Sequence, residues 1–266
     1  MTARSLPLVR RDPRGRAVDI AALALTALFL GLLVRDLVPL LPNLDPAKIA
    51  VDYHLYLDAT QRAVNGSFYY LPYQLQGPYE AFPGVILYPP TFILVMLPFL
   101  VLPWFLYWAL PIGAVAYAAW RLRPRVIAWP AIAMCLWWPD TTTTVVAGNP
   151  ALLAVGALAL GTVWGWPGVL VLLKPSLAPF ALFGAWRRSW WVALGALVLV
   201  SVPFGAMWLD YVVVLQNARH PLGLLYNLPQ VPTMLLPIAI WAGRRRAEPA
   251  QRPRAPEPPI PTGDPT

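Results

Sequence analysis

Long apolar runs, separated by short polar or proline-containing segments, dominate the pattern along the chain. They cover residues 17–41, 85–102, 104–120, 126–139, 149–164, 166–186, 190–207 and 231–243. A helix needs about 20 apolar residues to cross a bilayer, and the first run has that length. Several later runs are nearer to about 15 residues and contain proline, which predicts tilted, re-entrant or half-helices buried against their neighbours. The pattern predicts an all-α, polytopic transmembrane helix bundle of about eight spans.

The polar segments divide the chain into regions. Residues 1–17 form a basic tail, and residues 18–243 form the transmembrane domain. Within that domain, residues 42–84 are the longest polar stretch and contain four of the twelve acidic residues, so we interpret them as a long first outer loop. Residues 247–266 are rich in proline and poor in apolar side chains, which predicts a disordered tail.

Composition supports the membrane interpretation. Hydrophobic residues make up 58% of the chain and charged residues only 12%, which leaves too little polar surface for a soluble domain. The net charge is +8, but the basic residues fall mainly at the ends of apolar runs, as expected for residues that orient spans rather than bind nucleic acid. The single cysteine, Cys135, excludes an internal disulfide and a CxxC metal site.

Basic clusters predict the orientation. The arginines of residues 1–17 place the N-terminus in the cytoplasm. Eight alternating spans then also place Arg187, Arg188 and residues 244–246 in the cytoplasm, with a cytoplasmic C-terminus. The same count places Arg121, Arg123 and Arg125 outside, against the positive-inside rule. Either that loop is an exception, or residues 85–120 do not make two full crossings. The predicted location is a cell membrane, with the chain crossing several times.

The outer loop holds the most informative segment, which begins at Asp52 and contains Tyr53 and Tyr56. A carboxylate just outside the bilayer suits a general base that deprotonates a sugar hydroxyl, while aromatic faces stack on sugar rings. Asp52 is our candidate for that base. The alternative is an interfacial acid that faces water within an ordinary tyrosine belt.

Other polar residues are candidates for substrate binding. Asp58 lies four residues after His54 and four before Arg62, so on a helix it has ion-pair partners, and a structural salt bridge is the alternative role. In an extended segment Asp52 and His54 would face the same side, so a divalent cation is conceivable there with Asp58. We favour no metal and no cofactor.

Three further candidates lie later in the chain. Lys174 stands in the middle of an apolar run before Pro175. A lysine at that depth costs about 3 kcal/mol to insert and normally faces a cavity, a carboxylate or a phosphate; alternatively it bonds carbonyls freed by the proline, or snorkels. Arg219 and His220, in the predicted outer loop 208–229, would bind a phosphate or contact lipid headgroups.

These residues and their order resemble the glycosyltransferase 87 family, the polyprenyl-phosphate-mannose-dependent mannosyltransferases of the GT-C fold. The resembling features are Asp52-Tyr53, the stretch Tyr88-Pro89-Pro90, the turn Gly148-Asn149-Pro150, where Asn149 stands in place of a glutamine, and Lys174-Pro175. The resemblance covers roughly residues 45–230. It implies that Asp52 is the general base, and it draws Tyr88, Asn149 and Lys174 into substrate binding.

The resemblance implies transfer of a sugar, mannose or a related one, from a polyprenyl-phosphate donor to a lipid or cell-envelope glycan acceptor outside the membrane. The partners would be that donor, the acceptor and membrane lipids, with no nucleic acid. No motif for nucleotide phosphates or for hydrolase chemistry occurs. Two alternatives remain, a truncated, non-catalytic scaffold of a glycan-assembly complex and a small lipid or solute transporter.

Overall fold

The structure is a computed structural model that describes residues 13–81, 85–219 and 228–245. It is almost wholly helical, which confirms the all-α prediction. Its α-helices are α1 Pro13–Leu40, α2 Val51–Val64, α3 Pro72–Gln76, α4 Phe92–Met96, α5 Leu106–Leu122, α6 Trp129–Trp137, α7 Pro139–Ala147, α8 Ala151–Trp164, α9 Ala178–Ala181, α10 Arg188–Ser201, α11 Gly205–Asn217 and α12 Val231–Ala242.

Short 3-10 turns and one small sheet join these helices. The 3-10 turns are Leu41–Asn43, Pro46–Lys48, Leu97–Leu100, Val126–Ala128, Trp166–Leu173, Pro175–Leu177, Leu182–Gly184, Val202–Phe204 and Leu228–Gln230. Strands β1 (Tyr79–Glu80) and β2 (Ala218–Arg219) pair in parallel. The pairing ties the segment after α3 to the end of α11.

Among the described residues, two helices are long and apolar enough to cross a membrane: Gly15–Asn43 and the nearly continuous Arg188–Asn217, formed by α10 and α11. A third candidate is the pair α7 and α8, which is bent by 110°. Exposed leucine and valine side chains cover α1 and α10. In water such faces would be unfavourable, so these helices are those expected of a membrane protein.

The arginine clusters of the described chain gather at one end of the bundle. Pro124 pairs with Arg244, and the backbone N–H of Arg125 donates to the carbonyl of Gly243. Arg187 donates from its guanidinium to the carbonyl of Val163, at the end of α8. Helices α5, α8 and α12 therefore all end at what we call the basic end.

The other end holds α2, α7 and the start of α12. The indole of Trp137, at the end of α6, donates to Asp36 near the end of α1 over 2.9 Å. The indole of Trp138 donates to the carbonyl of Pro229 over 2.9 Å. We call this the site end, because Asp52 lies there.

Residues 165–187 form a hairpin that starts and finishes at the basic end. A Cβ on Gly161 would lie 2.9 Å from the Cα of Gly168, and one on Gly184 would lie 2.8 Å from the carbonyl oxygen of Gly165. The two legs of the hairpin are therefore fixed beside the end of α8. The outgoing leg, Trp166–Leu173, is a 3-10 helix that rises about 16 Å at about 2 Å per residue. Lys174 stands at the tip.

These features bear on the predicted spans. The predicted outer loop 42–84 contains the helix α2, on which Asp52 lies, and two of the later apolar runs do not form single long helices. Residues 85–102 form only the short α4 and a 3-10 turn. Residues 166–186 turn back on themselves because close glycine contacts hold both legs at the basic end. Thus eight full-length spans do not form within the described residues.

Substituting Gly161 by alanine tests the packing of the hairpin. The new Cβ would meet the backbone N and Cα of Gly168, which cannot rotate away, so we expect a loss of about 1–3 kcal/mol in stability and a lower melting temperature. Gly195→Ala is the matched control, because no atom lies within 4 Å of its Cβ and alanine favours a helix interior. Equal melting temperatures for both variants in detergent would contradict the close packing.

Candidate functional site

The turn between α7 and α8 positions the first polar side chain of the site. Gly148 has a φ of +65°, which ends α7 in a left-handed conformation. Its carbonyl accepts a 3.0 Å bond from the hydroxyl of Tyr107, and the carbonyl of Val145 accepts a 2.8 Å bond from the indole of Trp108. Two side chains of α5 therefore fix the backbone of the turn, and with it the position of Asn149.

Helix α2 lies against this turn. The backbone N–H of Ala50 donates to the carbonyl of Val146 over 2.8 Å, and a Cβ on Gly148 would lie 2.9 Å from the Cβ of Tyr53. Only glycine lets the two segments approach so closely. Asp52, in the first turn of α2, is thereby brought to the turn, where the helix N-terminus also favours its negative charge.

Asn149 joins the carboxylate to a buried lysine. Its Nδ2 donates to Oδ2 of Asp52 over 2.6 Å. Its Oδ1 accepts bonds from the backbone N–H of Ala151 at 2.9 Å and from Nζ of Lys174 at 3.1 Å. Nζ of Lys174 also donates to Oε1 of Gln230 over 2.6 Å. The four side chains form one hydrogen-bonded row.

The row is shielded from water on the lysine side. Lys174 is 5% exposed, and its Nζ lies 5.4 Å from the centre of the Tyr88 ring. Burial raises the pKa of the Asp52 carboxyl above the ordinary value, while the bond from Asn149 and the charge of Lys174 act in the opposite direction. A carboxylate with a raised pKa is a better proton acceptor than an ordinary aspartate.

A second carboxylate lies near the same ammonium. Asp140, in the first turn of α7, accepts a 3.3 Å bond from the hydroxyl of Thr144. Its charge interacts with that of Lys174, as does the charge of Asp52. Both acids therefore act favourably on the buried lysine, although neither forms a salt bridge with it.

An apolar cavity of about 370 Å³ opens beside the row. Lys174 and Tyr88 lie at the cavity, and the rest of its wall is apolar: Phe92, Leu94, Val95, Pro98, Phe99, Leu102, Leu110, Pro111, Ala114, Pro150, Leu153, Ala154, Gly156, Ala157, Leu160, Trp166, Pro167, Leu170 and Leu173. The wall runs between α4, α5, α8 and the outgoing leg of the hairpin. Such a cavity suits a hydrocarbon chain with an anionic group at Lys174.

Only part of the predicted site comes together. Asp52, Tyr88, Asn149 and Lys174 meet in the way described. His54 and Asp58 lie exposed on the opposite face of α2, away from its buried residues. A helix turns about 200° over two residues, so Asp52 and His54 do not share a side, which removes the extended geometry considered for a metal.

The remaining candidates also lie apart from the row. Arg62 forms no salt bridge with Asp58; instead its guanidinium donates to the carbonyls of Phe68 and Tyr69 at 3.3 and 3.5 Å. Arg219 is exposed on β2, opposite Glu80 in the ladder. His220 lies outside the described residues. No group of three metal-ligating side chains occurs within the described parts of the chain.

Sequence reasoning missed Gln230 and Asp140. Gln230 stands directly before the last apolar run, where a polar residue marks only a span boundary. Asp140 precedes four threonines, a pattern typical of a helix start rather than of a binding site. Neither position has a local motif, and only the packing of α7 and α12 against the hairpin tip brings them to Lys174.

Comparison with known proteins adds no relative: no family model, no curated protein and no solved structure matches the chain.

The variant Asp52→Asn tests the electrostatics of the row. A raised pKa means that Asp52 contributes stability at low pH, which is lost as the pH rises through the raised value. We therefore expect the variant to melt at or above the wild-type temperature at about pH 7. The difference should disappear as the pH falls toward 3.8, the ordinary pKa of an aspartate side chain. Asparagine can still accept the bond from Asn149. Asp58→Asn removes the same charge from the exposed face of α2 as a control, and a clear loss of stability in Asp52→Asn at neutral pH would refute this account.

Proposed function

We propose that the protein is a membrane glycosyltransferase that moves a sugar, mannose or a related one, from a polyprenyl-phosphate donor to an extracytoplasmic lipid or glycan acceptor. One observation carries the proposal. A partly buried carboxylate and a buried ammonium bind the same amide, that of Asn149, and the ammonium lies at an apolar cavity. The resemblance to the glycosyltransferase 87 family points to the same chemistry.

The donor would lie with isoprene units in the apolar cavity and its phosphate at Lys174. The ammonium has three N–H donors, of which two go to Asn149 and Gln230, so one remains for a phosphate oxygen. The cavity volume of about 370 Å³ accommodates only the first part of a polyprenyl chain. The rest would extend past exposed residues of the cavity rim, such as Leu102 and Leu110, into the bilayer.

The proposed reaction needs a base and a stabilised leaving group. Asp52 would take the proton of the acceptor hydroxyl as that oxygen attacks the anomeric carbon with inversion. The bond from the anomeric carbon to the phosphate oxygen breaks, and the negative charge passes to the lipid phosphate, where Lys174 would stabilise it. Asn149 would hold the carboxylate and the ammonium at a constant separation during the transfer.

The same proposal includes a topology of six crossings rather than eight. The crossings would be the long helix α1, the pair α10–α11 and, together with their flanking turns, the shorter helices α5, α6, α8 and α12, with residues 165–187 as a re-entrant hairpin. The basic end, including Arg121, Arg123 and Arg125, would then be cytoplasmic together with both termini, as the positive-inside rule requires. The site end would face outward, with Lys174 carried into the bilayer by the hairpin.

Transfer from radiolabelled polyprenyl-phosphate mannose to a native membrane lipid extract tests the reaction. We expect wild-type protein in nanodiscs to transfer label, Asp52→Asn to lose about a hundredfold or more because the base is gone, and Lys174→Met to lose a comparable factor because the leaving phosphate is unsupported. Asp58→Asn, on the exposed face of the same helix, should transfer label at the wild-type rate.

Two results would count against the enzyme. If wild-type protein transfers no sugar from this donor or from other polyprenyl-phosphate sugars, the chain is better interpreted as a non-catalytic scaffold. If wild type and Asp52→Asn transfer equally, Asp52 is not the base.

Labelling of introduced cysteines tests the topology. In a Cys135→Ala background, an impermeant maleimide added to intact cells should label Thr143→Cys, at the site end, and should label Arg125→Cys, at the basic end, only after lysis. Eight alternating spans predict the opposite labelling, because they place Arg125 outside the cell and Thr143 in the cytoplasm. Labelling of both variants in intact cells would contradict either arrangement.

A further inference from the structure

A second cavity, of about 310 Å³, lies at the basic end, on the far side of the bundle from Asp52. Three arginines from separate parts of the chain line it. Arg121 lies in the last turn of α5, Arg187 directly precedes α10, and Arg244 follows α12. Trp186 and Trp241 complete the wall together with the ends of α5 and α8.

Among the residues that the structure describes, no carboxylate lines this cavity. The one ion pair that forms among the described residues joins Arg35 to Asp36, near the opposite end of α1. The three guanidinium groups therefore share a cavity without an acidic partner from the described chain. Like charges held together in this way repel one another and attract an anion, and a guanidinium binds phosphate oxygens through paired N–H bonds.

Capping of helix ends explains only part of the arrangement. Arg187 donates to the carbonyl of Val163, and Nη1 of Arg244 donates to the carbonyl of Trp241 over 2.8 Å. A positive group is favourable at a helix C-terminus. Each guanidinium has five N–H donors, however, and these two contacts use one from each side chain. The guanidinium of Arg121 makes no hydrogen bond to another described residue.

The aromatic wall orients one of these groups. The guanidinium carbon of Arg244 lies 3.8 Å from the centre of the Trp241 ring, so the cation is held over the indole at the wall of the cavity. Trp186 is 59% exposed at the rim, and tryptophan prefers the level of lipid headgroups.

We propose that this cavity binds a phosphate group, carried by an anionic phospholipid or supplied as free phosphate. The site is separate from the proposed transferase site and requires no catalysis. A bound phosphate would neutralise the three guanidinium groups and join α5, the hairpin and α12 at the end where all three meet.

Binding to the full chain purified in detergent tests the proposal, with native mass spectrometry and melting temperature as readouts. The probes are dioleoyl phosphatidylglycerol, the net-neutral dioleoyl phosphatidylcholine, and inorganic phosphate. We expect wild type to bind one phosphatidylglycerol about tenfold more tightly than phosphatidylcholine, and the double variant Arg121→Gln/Arg244→Gln to lose that preference. The control variant Arg125→Gln/Arg245→Gln removes the same amount of charge from exposed arginines outside the cavity. It should keep the preference for phosphatidylglycerol.

The outcomes separate the two phosphate sources and the failure of the idea. Stabilisation by phosphatidylglycerol that inorganic phosphate does not reproduce assigns the site to a lipid, whereas stabilisation and displacement by inorganic phosphate assign it to the free anion. Equal loss in both double variants shows nonspecific attraction and overturns the proposal, as does equal binding of the two lipids by wild type. If the double variant does not fold, the single variant Arg121→Gln, at an exposed position, is tested in its place. It too should lose the preference for phosphatidylglycerol.

Discussion

The ammonium of Lys174, 5% exposed in an apolar interior, sets the requirements that the surrounding elements meet. An unpaired buried charge is costly, so the protein supplies oxygen acceptors from two directions, Asn149 on the α7–α8 turn and Gln230 at the start of α12. The charges of Asp52 and Asp140 also act favourably on it. Lys174 thus joins the hairpin directly to the α7–α8 turn and to the start of α12.

The glycines make that meeting possible. The hairpin can carry Lys174 toward the site end because Gly161 and Gly168 let it pack directly on α8, and Gly148 lets α2 approach the turn that bears Asn149. Aromatic side chains then hold the positions: Tyr107 and Trp108 bind the carbonyls of the turn. The site is hydrogen-bonded to the protein on one side and adjoins the apolar cavity on the other, an arrangement suited to a substrate that is a lipid at one end and polar at the other.

Charge separates the two ends of the bundle. The arginine clusters of the described chain lie together at one end, and the row that begins at Asp52 lies at the other. The close pairing of Arg125 with Gly243 explains this, because it brings the loop after α5 to the end of α12. In our proposals each end binds a different phosphate. The site end binds the phosphate of the sugar donor, which reacts, and the basic end binds a phosphate that takes no part in the reaction.

The sequence by itself determined the helical class, the apolar surface of α1 and the candidates Asp52 and Lys174, because these follow from local composition and from residue types that are costly in an apolar setting. Asn149 was a candidate only through the family resemblance. It also indicated that three arginines after α5 fitted eight crossings poorly. Only the tertiary structure decided that residues 166–186 turn back, that His54 and Asp58 point away from Asp52, and that Gln230 bonds to Lys174. An apolar run has the same composition whether it crosses or returns, and contacts between glycine backbones and between distant polar side chains leave no local pattern.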